Sequence, residues 1–265
     1  MQPLIKWTGA KRLISKQIVS HFPDNIETYY EPFLGGGSVF FQLLVSGKSV
    51  KRFVLSDLNE TLIQIYKTVI NNPTDLTKSY RKNWTEFQKD NHYYYKQREI
   101  YNKTKDPLAF FFLTRTCYNG TIRFNSKGEF NVSFHYGRAG MHPDTLDKII
   151  PYYNNLMAGK DIEFLCRSYE EVQPQNKNDI VYLDPPYTST KSLYFGNIDL
   201  EKFFSWVDSF PCPWFMNLNN VNKCDHEESF PIAYTGKDIF CSGKSSFSRL
   251  KNREVTVGEY FYWKV

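Results

Sequence analysis

Ile180-Val181-Tyr182-Leu183-Asp184-Pro185-Pro186-Tyr187 is the stretch on which the fold of this chain turns. The apolar run reads as a short strand and the tetrapeptide after it as the corner that ends it. In a parallel sheet, ligands bind beyond the carboxyl ends of strands, so this corner occupies the position where α/β proteins place their sites. Two consecutive prolines fix φ and remove N–H donors, leaving carbonyl acceptors beside the Asp184 carboxylate, while Tyr187 offers a flat face. A tight strand-ending turn with no further role uses the same residue types.

Working outward, four more β-rich runs end in turn or polar residues. They are Thr28 to Phe33, Lys51 to Asp57, Asp161 to Cys166 and Pro213 to Leu218. Segments Ser38 to Val45 and Glu60 to Ile70 carry apolar residues at helical spacing, as helices packed on a sheet do. From about Asn71 to Gly159 the sequence turns richer in Asn, Lys, Tyr and Arg, and reads as helices around a polar loop with Asn119-Gly120 and Lys127-Gly128 turn signals. The expected architecture is α/β, a discontinuous domain of residues 1–60 and 160–265, with a helical insertion over 61–159 that carries a hairpin at about 118–138.

The chain has 265 residues, 41% of them hydrophobic, and no apolar stretch of membrane-spanning length. Its first seven residues lack the pattern of a secretory signal, and its five cysteines are scattered without a C-x-x-C pair. A reducing cytoplasm is therefore expected, without disulfides. The five histidines show no ligand spacing, so no metal is assigned. The net charge of +5 permits a polyanionic partner without demanding one. The 22 Phe, 19 Tyr and 5 Trp exceed what is usual; most belong to the core, and some can serve as stacking surfaces.

The acceptors of Asp184-Pro185-Pro186 suit a planar group bearing an NH₂. The exocyclic amine of adenine is a poor nucleophile because its lone pair is delocalised into the ring. Acceptors pulling on both its hydrogens favour a pyramidal nitrogen that can attack an electrophilic methyl. Glu31-Pro32-Phe33-Leu34-Gly35-Gly36-Gly37-Ser38 follows a strand and opens a helix, as nucleotide-binding turns do, although such turns also arise from packing alone. Asp57 ends the next strand, where a carboxylate accepts from ribose hydroxyls or caps the helix near Glu60. Lys6-Trp7-Thr8-Gly9-Ala10-Lys11-Arg12 gathers three cations and an aromatic around a glycine. Tyr118, Asn119, Arg123, Asn125 and Arg138 are of the types that stack on bases, bond base edges and hold phosphates, and equally of the types found in solvated turns.

These motifs, in this order, resemble the Dam family of DNA adenine-N6 methyltransferases, particularly its branch of GATC- and GATATC-modifying enzymes, which includes the partner of the EcoRV restriction enzyme. The resemblance implies a Rossmann-like, seven-stranded S-adenosylmethionine-dependent methyltransferase sheet with a helical DNA-recognition insertion. It implies that Trp7 and Lys11 touch the cofactor, that Glu31, Phe33, Gly35, Gly36 and Gly37 wrap its methionine part, that Asp57 holds the ribose, and that Ser168 and Tyr169 lie at its adenine. Asp184 and the Pro185 carbonyl would accept from N6 of a flipped adenine, with Pro186 bracing the corner and Tyr187 stacked on the base. Lys6, Thr121 and Arg123 would read base edges, Tyr118 would fill or wedge the duplex near the vacated place, Asn119 would meet the orphaned thymine, Arg138 would grip phosphate, and Asn125 would complete the DNA-facing set.

The partner the resemblance implies is double-stranded DNA, with no membrane or metal expected, and the expected protein is monomeric. Cytosine-N4 methylation and a non-catalytic DNA-binding regulator are the alternatives; Asp184, where cytosine enzymes more often carry Ser, favours adenine. Two segments depart from the family pattern. Val132-Ser133-Phe134-His135-Tyr136-Gly137-Arg138 replaces a Val-Pro-aromatic sequence, and Met216-Asn217-Leu218-Asn219-Asn220 stands where many relatives have Ser-Asn. The whole reading requires Asp184 to border a cavity large enough for a sulfonium, and its oxygens not to be locked in an internal ion pair.

Overall fold

In the computed structural model, which describes residues 2–186, 198–219, 231–244 and 256–265, a seven-stranded mixed sheet forms the centre of the molecule. Strands β1 (Asn25–Glu31), β2 (Ser49–Asp57), β3 (Asp161–Cys166), β4 (Ile180–Leu183), β5 (Trp214–Asn219), β6 (Gly236–Lys244) and β7 (Thr256–Lys264) lie in the order β3-β2-β1-β4-β5-β7-β6. The first five are parallel, and β7 runs antiparallel between β5 and β6. The expected seven-stranded α/β sheet is present. β3 begins and ends where the sequence places it, whereas β1 starts three residues earlier than expected and stops before Pro32, which has no N–H for the ladder.

Alternation along the strands builds two cores. Ile180 and Tyr182 of β4, with Phe215 of β5, join one buried cluster, while Val181, Leu183, Trp214 and Met216 join the other, as a period of two requires. The first face is covered by α1 (Ser15–Ser20), α2 (Ser38–Leu44) and α3 (Glu60–Asn71), the second by α8 (Leu200–Asp208). β4 is buried at all four positions. A strand covered on both faces reads as an unbroken apolar run, which is why it stands out in the sequence.

The helical segment consists of α4 (Pro73–Lys89), α5 (Tyr93–Thr104), α6 (Pro107–Thr116) and α7 (Pro143–Met157). Asp106 caps α6 by accepting from Leu108 and Ala109 N–H, with Pro107 at the first helical position. α3 contacts β2 and β3 on one side and α4, α6 and α7 on the other. Its buried Leu62, Ile65 and Tyr66 belong to one continuous cluster with Phe53 of the sheet and Tyr80 and Phe110 of the helices.

The expected hairpin takes a different form. Tyr118–Gly120 is one turn of 3₁₀ helix with Asn119 at φ +52°, followed by two single antiparallel bridges, Cys117 to Phe134 and Phe124 to Phe130. Side chains of α5 take backbone groups that a ladder partner would otherwise satisfy. Asn102 accepts from Phe130 N–H (2.8 Å) and donates to its carbonyl (3.1 Å), and the Tyr94 hydroxyl donates to Val132 O (3.0 Å). Asn-Gly signals a turn here and its flanks pair at Cys117–Phe134, but the returning limb is shared with a helix at Phe130 and Val132.

Candidate active site

The chain runs outward from β1 through β2 to β3, then returns to place β4 on the other side of β1, so the switch point of the sheet lies between β1 and β4. Tyr30 pairs with Val181 there, which brings the loop after β1 beside the corner after β4. A cavity of about 430 Å³ opens at this point. Its wall takes Glu31 to Val39 from β1 and its loop, Asp57 to Asn59 from β2, Ser168 to Glu170 from beyond β3, and Asp184 to Pro186 from β4. Trp7 to Lys11 close one side, and Ile198, Asp199 and Lys202 of the α8 start close another. The expected cofactor set therefore converges; Tyr187 lies outside the described residues.

The β1 loop is fixed by its neighbours. Asp57 Oδ2 accepts from Gly35 N–H and its Oδ1 from Asn59 N–H, both at 2.9 Å, and the Tyr66 hydroxyl donates to Gly35 O at 2.8 Å. The N-cap of α3 is Asn59, which accepts from Leu62 N–H, so Asp57 ties the glycine loop to β2 instead of capping. Its burial pushes the carboxyl pKa up, against the pull of those amides. Gly37 adopts φ +63°, and a Cβ there would stand 2.9 Å from the Tyr66 hydroxyl; one at Gly36 would stand 3.1 Å from Trp7 Cβ. The glycines thus let Trp7 and Tyr66 close in on the loop.

Glu31 is 2% exposed and accepts from the Tyr29 hydroxyl at 2.7 Å. Desolvation, with Asp184 and Asp57 adding like charge, raises its pKa to about 8, so at neutral pH it is mostly protonated. At the far end, Phe33 and Tyr169 rings lie 5.5 Å apart with Trp206 edge-on to Tyr169 at 4.9 Å, giving the cavity an aromatic floor. Ser168 spends its hydroxyl on capping: Glu170 N–H donates to it and Glu171 returns a bond to Ser168 N–H.

Asp184 meets half of what the sequence reading requires of it. It borders the cavity, but its Oδ2 accepts from Lys11 Nζ at 2.7 Å, so the expectation of a carboxylate outside any internal ion pair is corrected. The reason lies in Lys11, which is only 4% exposed and whose ammonium needs anionic partners. Lys11 also donates to Gly9 O (2.9 Å) and stands 3.7 Å from Glu259 Oε2 of β7. Lys11, expected at the cofactor, lines the cavity and there also meets the residue expected to act on the base. A carboxylate has about four acceptor sites, and one lysine contact uses one of them.

The expected DNA-facing residues gather around the N-terminal loop and the 118–138 segment. The Lys6 stem lies on Gly120, where a Cβ would collide with it, and Thr8 Oγ1 accepts from Ile122 N–H at 3.0 Å. Burial lowers the Lys6 pKa, with Arg138 and Arg115 contributing. Tyr118, Asn119, Arg123 and Arg138 are exposed, and Thr121 is partly so. Arg123 Nε donates to Asn131 Oδ1 at 3.0 Å. Asn125 is turned inward: its Oδ1 accepts from Lys127 and Glu129 N–H (2.9 Å each) and its Nδ2 donates to Glu129, making it the builder of the 125–129 turn. Missed from the sequence were Asn59, Tyr66, Lys202 and Glu259. The first carries a capping signature that was readable; the others act across the fold.

Residues 7–202 match the family model of the D12 class N6 adenine-specific DNA methyltransferases. The chain belongs to this family. It is 37% identical to the type II methyltransferase M.MjaIII of Methanocaldococcus jannaschii over 78% of this chain and 81% of that one. It is 31% identical to M1.LlaDCHI of Lactococcus lactis subsp. cremoris over 98% and 96%, and 32% identical to the DNA adenine methylase of Escherichia coli K12 over 69% and 64%. The protein is thus a D12-class DNA methyltransferase directed at adenine N6, which sets aside the cytosine-N4 reading. Its methyl donor is S-adenosylmethionine. The cavity fits that cofactor in size and kind, with aromatic faces at one end and carboxylates near the middle for a cationic sulfonium and an amine. Among the described residues, no helix is long and apolar enough to cross a membrane, and no three His, Cys, Asp or Glu side chains group as metal ligands.

Proposed function

We propose that this methyltransferase acts on an adenine extruded from duplex DNA within a short GA-containing palindrome of the GATC or GATATC kind. The observation that carries the proposal is that the Asp184-Pro185-Pro186 corner and the Gly35–Gly37 loop wall one cavity at the switch point of the sheet. An adenine inside a duplex cannot bring N6 to such a recess, so the base must leave the stack. S-adenosylmethionine supplies the electrophilic methyl. Phe33 and Tyr169 hold its adenine end, Glu31 and the glycine loop its methionine end, and the Asp57 edge its ribose.

Asp184 and the Pro185 carbonyl accept from the two N6 hydrogens, which localises the nitrogen lone pair toward the methyl. Lys11 Nζ, 2.7 Å from Asp184 Oδ2, fixes where that carboxylate points. No strong base is required: as N6 bonds to the methyl the sulfur–methyl bond would break with its electron pair leaving on a neutral thioether, N6 then becomes acidic, and Asp184 or water takes the proton. Positioning supplies most of the rate. Residues 1–60 and 160–265 form the catalytic part in this reading, and 61–159 the target-recognition part, with Lys6, Thr121 and Arg123 at base edges and Arg138 at phosphate.

The test is labelled methyl transfer to duplex DNA. Asp184→Ala should lose about 10³-fold in turnover, the scale for removing one preorganised polar group at a reacting centre, while binding cofactor within a few-fold of wild type. Asp184→Asn, which still offers Lys11 an acceptor, controls for loss of the ion pair and should be equally inactive. Near-normal turnover in either refutes the assignment. Tight duplex binding by the wild-type protein with no product would instead support a regulator. Sequencing methylated DNA from expressing cells reads out the target motif.

A further inference from the structure

We propose that His135 is a positioning residue for DNA, acting by holding the ring of Tyr118. The inference deepens the reading above, in which the 118–138 segment meets the duplex. The two rings lie 5.0 Å apart and 16° from parallel, a stacked pair. They are diagonal neighbours across the Cys117–Phe134 bridge, whose flanking bonds run from Tyr118 N–H to Ser133 O (2.8 Å) and from His135 N–H to Thr116 O (3.2 Å). Diagonal pairs of this kind lie within reach of aromatic side chains.

The imidazole is fixed a second time on its other side. Gly137 N–H donates to His135 Nδ1 at 3.1 Å, and since a backbone amide can only donate, Nδ1 acts as the acceptor and a neutral ring carries its proton on Nε2. Arg138 N–H bonds the His135 carbonyl at 3.2 Å, so the residue also sets where Arg138 leaves the turn.

Tyr118 is 42% exposed and beside Asn119, which adopts a left-handed conformation at the tip of the turn. An aromatic ring at such a tip loses rotamer freedom when it meets DNA, and a partner that holds it beforehand reduces that loss. The imidazole lies against one face of Tyr118, which is still partly exposed. His135 itself touches no base in this arrangement; its effect passes through Tyr118. The chemistry it favours is stacking or wedging at a base step, which is tolerant of sequence.

The experiment is a double-mutant cycle on the full-length enzyme, reading kcat/KM for duplex DNA and KM for cofactor, together with the fluorescence of a duplex carrying 2-aminopurine at the target adenine. His135→Ala should lower kcat/KM for DNA about 3- to 10-fold, the range for an aromatic pair, with cofactor KM unchanged and the 2-aminopurine signal reduced. His135→Phe, which restores a ring without the Nδ1 acceptor, should recover most of the loss. Adding His135→Ala to Tyr118→Ala should produce no further decrease, because the partner it holds is gone. The proposal is overturned if His135→Ala matches wild type, if its effect adds fully to that of Tyr118→Ala, or if the Phe variant does no better than Ala. If Tyr118→Ala alone leaves DNA kinetics intact, the reading of this turn as a DNA contact fails, and the inference with it.

Discussion

The rim of the sheet and the 118–138 segment are held by opposite means. At the rim, Glu31, Asp57 and Asp184 leave the ends of strands whose positions are set by hydrogen-bonded neighbours on both sides. In the segment, regular pairing is reduced to two bridges, and much of the backbone is held by side chains from α5 and from the N-terminal loop. A sheet rim tolerates almost no local adjustment, which suits groups that must meet a reacting nitrogen within a fraction of an ångström. A segment held by side chains can be rebuilt a residue at a time, which suits the reading of a sequence.

If that contrast is right, damage to the rim is large and indifferent to the DNA sequence. Gly37→Val puts a β-branched residue at φ +63° with its Cβ 2.9 Å from the Tyr66 hydroxyl. It should lower Tm by roughly 5–10 °C and weaken cofactor binding by about tenfold or more; calorimetry showing neither would mean that the loop adapts as easily as the reading segment.

Glu31 gives a second, pH-dependent view of the rim. Its folded pKa of about 8 stands above the ordinary 4.5, so the folded form keeps a proton that the unfolded chain gives up, and stability falls as pH rises between those values. Glu31→Gln keeps an acceptor for Tyr29, should lose that part of the slope, and should exceed wild type by roughly 2–4 kcal/mol above about pH 8. Urea denaturation across pH tests this, and parallel wild-type and variant curves would sink it.

In the reading segment the expected effects are smaller and selective. Arg123→Ala should cost about 1–3 kcal/mol in kcat/KM for the preferred site and relax discrimination there, with cofactor affinity unchanged. A uniform loss on all sequences would move Arg123 to the phosphate-binding class. Asn125→Ala removes the acceptor for two amides of the 125–129 turn and should cost about 1 kcal/mol or less, seen as faster proteolysis of that turn before any change in turnover. A loss as large as that of Arg123→Ala would return Asn125 to the DNA-contacting set.

What the sequence disclosed follows the same division. β4 was legible because burial on both faces leaves no polar position, and the glycine loop because its backbone requires glycine at Gly37. Asp57 was placed at the correct strand end, yet its bonds to Gly35 and Asn59 N–H depend on two loops meeting. The Lys11–Asp184 pair joins residues 173 positions apart, and no local pattern announces it. The same holds for Glu259, which reaches Lys11 because β7 inserts antiparallel between β5 and β6. The hairpin is irregular for a related reason: its flanks pair at Cys117–Phe134 and Phe124–Phe130, while α5 side chains take the backbone of Phe130 and Val132.

Lys6, Trp7 and Thr8 alternate like the teeth of a zip, Lys6 and Thr8 engaging the turn at Gly120 and Ile122, Trp7 engaging the glycine loop between them. Under the proposed function, three consecutive residues would therefore serve two ligands at once. If a duplex shifts the outer teeth, the middle one moves with them, and thermodynamic reciprocity then makes the traffic two-way: the factor by which the right sequence tightened the hold on the methyl donor would equal the factor by which the donor tightened the hold on that sequence. Discrimination among sites can then be expressed as how long the donor stays, without a single additional contact to DNA.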